Sequence, residues 1–197
     1  MLVSLLKNPD VSFVHLVPTF QNPLKDVPSS LNPSVALKRR LMEAWISSLK
    51  VRNVAGFEKL KVEWCEVEAE KSSYTIDTLS RLMKDVGKDA EWVLCLGDDG
   101  LPDLNRWKDA NRLLGLVKET WVFRRAHNAH RSFLNEVPTE LTSLTRWRLL
   151  LTRITEVSST KIREFLGLGE ADARRDCLKG LVLAEILAVL GESPNHP

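Results

Sequence analysis

A short apolar run that passes directly into an acidic turn and then into a helical pattern constrains this fold more than any other feature. Residues 92–96 are apolar and unbroken, which is typical of a strand covered on both faces. Gly97 ends the run, and Asp98 and Asp99 follow it. In open α/β sheets ligands bind beyond the carboxyl ends of the strands, so a site is expected at this turn. A helix is predicted next, from apolar residues at helical spacing: Leu104, Trp107, Ala110 and Leu114.

Apolar runs and amphipathic patterns alternate along the rest of the chain, as they do in α/β proteins. Strands are predicted at 11–17, 62–67, 120–123 and 147–154, and a loop at about 128–145. Helices are predicted from Asn32-Pro33 to Leu49, from Ile76 to a stop at Gly87, and from about 171 to 190, with the end of another helix at 1–6. The fold class predicted from these patterns is α/β.

Composition narrows the class of protein. A chain of 197 residues, 44% of them hydrophobic, can fill one core but hardly two, so residues 1–197 are expected to form a single domain. The net charge is +2 and the basic residues are spread out, which gives no indication of a nucleic-acid surface. No run approaches the roughly 20 apolar residues of a membrane span. Three distant cysteines without a CxxC pair are typical of reduced proteins, so a cytoplasmic location is expected.

Several polar residues lie at predicted strand and helix ends. Lys25 follows the strand at 11–17 and could bind a phosphate, although a solvated loop lysine is the ordinary alternative. Ser73 or Thr75 could cap the helix that follows, and the free N–H groups of its first turn also suit an anionic or amide ligand. Arg124 follows the strand at 120–123.

A hydroxyl cluster follows the last predicted strand, at Ser158, Ser159 and Thr160, with Arg163 one turn later. Backbone N–H groups, hydroxyls and a guanidinium together suit a polyphosphate. The alternative is an ordinary Ser/Thr helix cap followed by a solvated arginine.

The histidines and one basic cluster give weaker indications. His127 and His130 have no third ligand nearby, so no metal site is predicted there. His15 lies within an apolar run and is predicted to be a hydrogen-bonded core residue. The cluster at 38–40 is either a solvated helix face or a phosphate contact.

Four segments, taken in order, resemble the bacterial nicotinate-nucleotide adenylyltransferase family. They are 18–25, 66–79 with its Ser-Tyr-Thr-Ile-Asp-Thr-Leu run, 96–101 with Trp107, and 158–163. The resemblance covers nearly the whole chain. It implies a Rossmann-like nucleotidyltransferase fold, with a parallel sheet flanked by helices. It also implies transfer of the AMP part of ATP to nicotinate mononucleotide, which gives deamido-NAD and pyrophosphate in NAD biosynthesis.

The resemblance also implies roles for particular residues. In the acceptor site, Lys25 would hold the mononucleotide phosphate with help from Arg39 or Arg40, Thr75 would receive the nicotinate carboxylate, and Trp107 would stack on the pyridine ring. Asp99 matches an acidic position that meets the nucleotide substrates. Arg124 matches a basic position after the following strand, and the resemblance implies that it too binds substrate. For ATP, the resemblance implies Mg²⁺ and a phosphate-binding motif made of Ser158, Ser159, Thr160 and Arg163.

The sequence departs from the family at its beginning. The family opens with a strand, a Gly-rich turn and a His-x-Gly-His motif whose histidines contact the ATP phosphates, and this sequence contains none of them. No catalytic residue is therefore assigned within the chain. We expect that Met1 is an internal methionine of a longer protein; the alternative is a shortened form.

Two other functions stay open at this point. The chain could be a non-catalytic nucleotide-binding module, or an adenylyltransferase with another acceptor. The Ser-Tyr-Thr run and Trp107 favour a pyridine nucleotide as the acceptor.

Overall fold

The structure is a computed structural model that describes residues 1–24, 34–125 and 133–152. The described residues form two compact units, the first made of 1–21 and 34–71, the second of 22–24, 72–125 and 133–152. Each unit has a parallel sheet and helices of its own, which confirms the predicted α/β class. The single domain expected from chain length stays a prediction.

The first unit contains a two-stranded parallel sheet. Its elements are α1 (Leu2–Leu6), β1 (Val14–Leu16), α2 (Val35–Val51), a 3-10 turn (Phe57–Lys59), β2 (Leu60–Val62) and α3 (Cys65–Glu68). Val14 of β1 lies opposite Leu60 of β2. The side chain of Ser34 caps α2 by accepting a hydrogen bond from the Leu37 backbone N–H at 3.2 Å. The predicted helix start at Asn32-Pro33 lies outside the described residues.

Two predicted strands of the first unit are wrong in extent or type. The strand predicted at 11–17 is only Val14–Leu16. The strand predicted at 62–67 is replaced by the end of β2 and the helical turn Cys65–Glu68. The apolar residues of this short run fit the period of a helical turn as well as that of a strand, and here the helical turn buries Val67 completely.

The second unit contains a three-stranded parallel sheet in the order β3-β4-β5. Its elements are α4 (Thr75–Val86), β3 (Val93–Gly97), α5 (Ala110–Leu116), β4 (Glu119–Arg125) and β5 (Arg146–Thr152). Short 3-10 turns lie at Asp98–Gly100, Leu104–Arg106, Phe133–Glu136 and Thr139–Leu141. Gly97 lies opposite Phe123, so the carboxyl ends of β3 and β4 lie at one edge of the sheet.

The helix predicted around Leu104 to Leu114 is interrupted. Trp107 is extended and Asp109 is left-handed, with a φ of 50°, so a 3-10 turn and α5 replace the continuous helix. The predicted apolar face is nevertheless kept, because Leu104, Ala110 and Leu114 are all buried. The end of α4 at Gly87, with a φ of 104°, agrees with the prediction.

Two hydrophobic clusters fill the core of the second unit. One is formed around Leu96, Leu101 and Leu104, the other around Ile76 and Leu113, and Leu94 and Trp107 pack against both. The described part of the predicted loop, from 133 onward, contributes buried Val137 and Leu141 to the first cluster. None of the helices in the described ranges has the length and apolar character needed to cross a membrane.

Candidate functional site

The turn after β3 places two neighbouring carboxylates in opposite environments. Asp98 is 6% exposed, whereas Asp99 is exposed to solvent. The Oδ1 atom of Asp99 lies only 2.5 Å from the position that a Cβ atom on Gly97 would occupy. Glycine at 97 therefore leaves room for the Asp99 carboxylate to lie against the end of the strand.

Arg124 at the end of β4 holds the buried carboxylate of this turn. Its side chain is fully buried and donates a hydrogen bond from Nη2 to Glu136 Oε1 at 2.8 Å. Its Nε atom lies 3.7 Å from Asp98 Oδ2. The side chain of Arg124, which the resemblance placed on the substrate, thus faces two protein carboxylates.

Sequence reasoning placed Asp98 in the turn but missed its pairing with Arg124, and it missed Glu136 altogether. The register of the sheet is the signal for Asp98. Gly97 lies opposite Phe123, and the next residues along the two strands are Asp98 and Arg124. No local pattern indicates Glu136, because a long connection separates it from Arg124 along the chain.

The start of α4 differs from the sequence prediction. Tyr74 is the N-cap residue, in place of Ser73 or Thr75, and its side chain makes no capping hydrogen bond. Thr75 is the first residue of the helix and is half-buried. The Tyr74 carbonyl accepts hydrogen bonds from the N–H groups of Asp77 and Thr78 at 2.9 and 3.2 Å. The first N–H groups of an α-helix have no intrahelical partner, so this end can receive an anion.

Trp107 and Lys108 lie against the start of α4. Trp107 is half-buried and packs on the cluster that contains Ile76, the second residue of that helix. Lys108 Nζ lies 2.9 Å from Asp77 Oδ2 and 5.0 Å from the centre of the Tyr74 ring. The hydrogen bond with Asp77 raises the pKa of Lys108, so the ammonium stays charged at neutral pH. The structure therefore brings the predicted residues Thr75 and Trp107 to one place.

Known proteins of one activity resemble this chain in sequence and in fold. A protein of Leptospira interrogans named a probable nicotinate-nucleotide adenylyltransferase is 29% identical over 161 residues, which is 81% of this chain and 72% of the relative. A protein of the same name from Fusobacterium nucleatum is 35% identical over 106 residues, covering 54% of this chain and 52% of the relative. No protein-family model matches the chain.

The solved structure of Plasmodium falciparum nicotinic acid mononucleotide adenylyltransferase complexed with NaAD matches the fold. Its TM-score is 0.69 at 14% identity, and the match covers 96% of this chain and 84% of the solved one. The chain is thus similar, over most of its length, to proteins named probable nicotinate-nucleotide adenylyltransferases. Its fold is the Rossmann-like nucleotidyltransferase fold, as the sequence resemblance implied.

Most of the residues predicted to bind phosphate lie outside the described part of the chain. Lys25, Ser158, Ser159, Thr160 and Arg163 lie outside the described residues, as do His127 and His130. Of the candidate helpers on α2, Arg39 donates a hydrogen bond to Glu68 at 2.9 Å and lies 4.6 Å from the centre of the Trp64 ring. Arg39 is therefore engaged by protein groups in this structure.

Lys38 and His15 have structural contacts in the first unit. Lys38 donates a hydrogen bond to the Phe20 carbonyl and lies 4.6 Å from the centre of the Phe20 ring. Burial lowers the pKa of Lys38. This lysine thus binds the loop that follows β1. The prediction that His15 is a hydrogen-bonded residue is confirmed, because its Nδ1 atom lies 2.9 Å from Glu63 Oε1.

Within the described ranges, the Cys95 thiol is a poor nucleophile and the acidic, histidine and cysteine side chains form no all-protein metal cage. Burial raises the pKa of the Cys95 thiol to about 12, so the thiolate is scarce at neutral pH. Across 1–24, 34–125 and 133–152, no group of three or more His, Cys, Asp or Glu side chains could hold a metal ion. What this part of the chain offers a ligand is a helix start, an aromatic side chain and an exposed carboxylate.

Proposed function

We propose that this protein transfers the adenylyl group of ATP to nicotinate mononucleotide, giving deamido-NAD and pyrophosphate. The observation that carries the proposal is the packing of Trp107 on the hydrophobic cluster to which the first turn of α4 contributes Ile76, next to Thr75 at the start of the helix. An aromatic side chain beside a helix N-terminus suits a ligand that combines a flat ring with a carboxylate. Nicotinate mononucleotide has both, and the named relatives cover most of the chain.

In this proposal the acceptor is bound by stacking and by the helix dipole. Trp107 supplies a face for the pyridine ring, and the N–H groups at the start of α4 receive the nicotinate carboxylate near Thr75. Lys108, held beside that helix start by Asp77, adds a positive charge to the neighbourhood. Asp99, exposed at the end of β3, faces the nucleotide substrates.

The proposed reaction requires no covalent intermediate between a substrate and the protein. A phosphate oxygen of nicotinate mononucleotide attacks the α-phosphorus of ATP, the bond from that phosphorus to the bridging oxygen breaks, and pyrophosphate leaves. Enzymes accelerate such transfers by alignment and by stabilising charge, without a protein nucleophile. Lys25 and the Ser158, Ser159, Thr160 and Arg163 motif are proposed to hold the phosphates.

Mg²⁺ fits this proposal as the counter-ion of ATP. Magnesium commonly keeps several waters and binds through substrate phosphates and one or two carboxylates. The exposed Asp99 carboxylate is a donor of that kind, and a dedicated cage of three carboxylates does not occur in the described ranges. When bound, the ion would neutralise the leaving pyrophosphate. We also propose that this protein is located in the cytoplasm.

Pyrophosphate release tests the proposed function. The 197-residue chain and a form extended at the N-terminus by the upstream in-frame codons are incubated with ATP, Mg²⁺ and nicotinate mononucleotide. We expect release that depends on both nucleotides and falls when nicotinamide mononucleotide or CTP replaces its counterpart. Release only from the extended form would assign the missing contribution to the upstream segment.

Two results would reject the proposed function, the first by excluding transfer and the second by changing the acceptor. Folded protein of both forms that binds ATP without releasing pyrophosphate would be the non-catalytic nucleotide-binding module. Release that proceeds better with an acceptor other than nicotinate mononucleotide would establish a different adenylyltransferase.

A further inference from the structure

We propose that Arg124 is a positioning residue that anchors the turn carrying Asp99, and that it does not contact the nucleotide. Asp98 and Glu136 share this role as its partners. The proposal rests on the proposed function, because Asp99 is taken there to face the nucleotide substrates. It assigns to Arg124 a different role from the one that the sequence resemblance implies.

The contacts of Arg124 join three separate segments of the second unit. Its guanidinium reaches Asp98 in the turn after β3, at 3.7 Å, and Glu136 in a 3-10 turn, at 2.8 Å. Arg124 itself lies on β4, the central strand of the sheet. The turn that carries Asp99 is therefore fixed to the most enclosed strand of this unit.

Burial and charge both argue against a direct contact between Arg124 and the nucleotide. Its side chain is 0% exposed, so no face of the guanidinium is open to a ligand in this structure. Among the described residues the cluster contains two carboxylates and one cation, and an approaching phosphate would add a further negative charge. Turning Arg124 toward a phosphate would also leave the 6% exposed Asp98 carboxylate without its cation, which is costly in a buried place.

The anchoring contact acts on Asp99 through a single peptide unit. Asp98 is the first residue of the 3-10 turn Asp98–Gly100 and Asp99 is the second. The Asp98 side chain points into the protein and the Asp99 side chain is exposed against Gly97. Fixing the first carboxylate inside therefore fixes the direction of the second. Binding and catalysis are sensitive to displacements of roughly 1 Å at such positions.

Asp98→Asn separates the two possible roles of Arg124 because they predict opposite effects. The substitution keeps the volume of the side chain and leaves the contact between Arg124 and Glu136 in place. If Arg124 positions the turn, the affinities for nicotinate mononucleotide and for ATP both fall, the first by about tenfold. If Arg124 binds substrate directly, removing a competing carboxylate frees it and the affinity rises. Isothermal titration of both ligands decides, and unchanged or increased acceptor affinity overturns the proposal.

A double-mutant cycle then tests whether Asp98 acts through Asp99. Asp98→Asn, Asp99→Asn and the double variant are compared in acceptor affinity. We expect the Asp98 substitution to have little further effect once Asp99 has been replaced. Additive losses would mean that Asp98 only stabilises the fold and would contradict the proposal. Asp103→Asn is the matched control, because that carboxylate is exposed and pairs with Arg106 at 3.0 Å; it should show no coupling with Asp99.

Amide hydrogen exchange supplies a readout that does not depend on activity. Asp98→Asn should accelerate exchange at the amides of 99–101 and leave those of α4 unchanged, whereas Asp103→Asn should change neither. Unaltered exchange at 99–101 overturns the anchoring role. If the wild-type protein binds neither nucleotide, the proposed function fails and the exchange result alone decides whether Arg124 anchors the turn.

Discussion

Two charged clusters of the second unit have similar geometry and opposite exposure. In the first, Arg124 meets Glu136 at 2.8 Å with its own side chain 0% exposed. In the second, Lys108 meets Asp77 at 2.9 Å with the two side chains 42% and 56% exposed. Judged by hydrogen-bond length alone, the two contacts would be expected to contribute equally to stability. The surroundings separate them, because a buried charge cannot exchange its partner for water whereas an exposed charge can.

This difference suits the two clusters to different tasks. The Arg124 cluster fixes the end of the sheet, since losing Arg124 leaves the buried Asp98 carboxylate uncompensated. The Lys108 cluster, beside the start of α4, can give up its contacts to a ligand at little cost. The second unit thus contains one cluster of fixed charges, around Arg124, and one cluster whose partners can exchange, around Lys108. Replacing the cation of each cluster tests its role.

Arg124→Met should give the largest effect. The substitution leaves two carboxylates near a buried methionine, and we expect the free energy of unfolding to fall by about 3–5 kcal/mol. Urea denaturation measures the loss. Adding Asp98→Asn to this variant should restore part of the stability, because it removes one uncompensated charge.

Arg106→Met is the matched control for this substitution. Arg106 is 60% exposed and pairs with Asp103 at 3.0 Å, so its loss should hardly change the urea midpoint. Equal losses from Arg106→Met and Arg124→Met would mean that burial does not distinguish the two kinds of ion pair.

Trp107→Ala should give an intermediate effect on stability and a selective effect on binding. Because Trp107 is half-buried and packs on both hydrophobic clusters, its truncation should cost about 2–3 kcal/mol, less than for a fully buried tryptophan. The acceptor should lose more affinity than ATP, because a stacking face is removed. Trp107→Phe keeps an aromatic face and should retain most of the acceptor affinity. Equal losses for both ligands in titration would contradict the stacking role.

Elements with a strong local pattern were predicted closely. The run at 92–96 became β3 (Val93–Gly97), and the amphipathic pattern before Gly87 became α4 (Thr75–Val86). The segment 62–67 was mistaken for a strand because its few apolar residues fit two periods. The helix at Leu104 was predicted as continuous because the left-handed conformation of Asp109 leaves no mark on the apolar spacing.

Sequence reasoning predicted only those parts of the candidate site that depend on local sequence patterns. Thr75 was correctly placed at a helix start, whereas Trp107, which was predicted within a helix, is extended. Trp107 packs on the hydrophobic cluster that contains Ile76, the neighbour of Thr75. The pairing of Arg124 with Asp98 depends on the register between β3 and β4. The pairing with Glu136 depends on where a long connection returns. Neither relation is contained in a local pattern.

Lys108→Met should give the smallest effect on stability, and salt should make the contrast with Arg124 visible. The hydrogen bond with Asp77 raises the pKa of Lys108 above its usual 10.5, so any stability from the pair is complete at neutral pH and is lost only as the pH rises through that raised value. Exposed pairs are screened by salt and buried ones much less. Any difference in melting temperature between Lys108→Met and wild type should therefore vanish at high salt, whereas the difference for Arg124→Met should persist. A loss for Lys108→Met that survives high salt would place Lys108 among the charges that fix the fold.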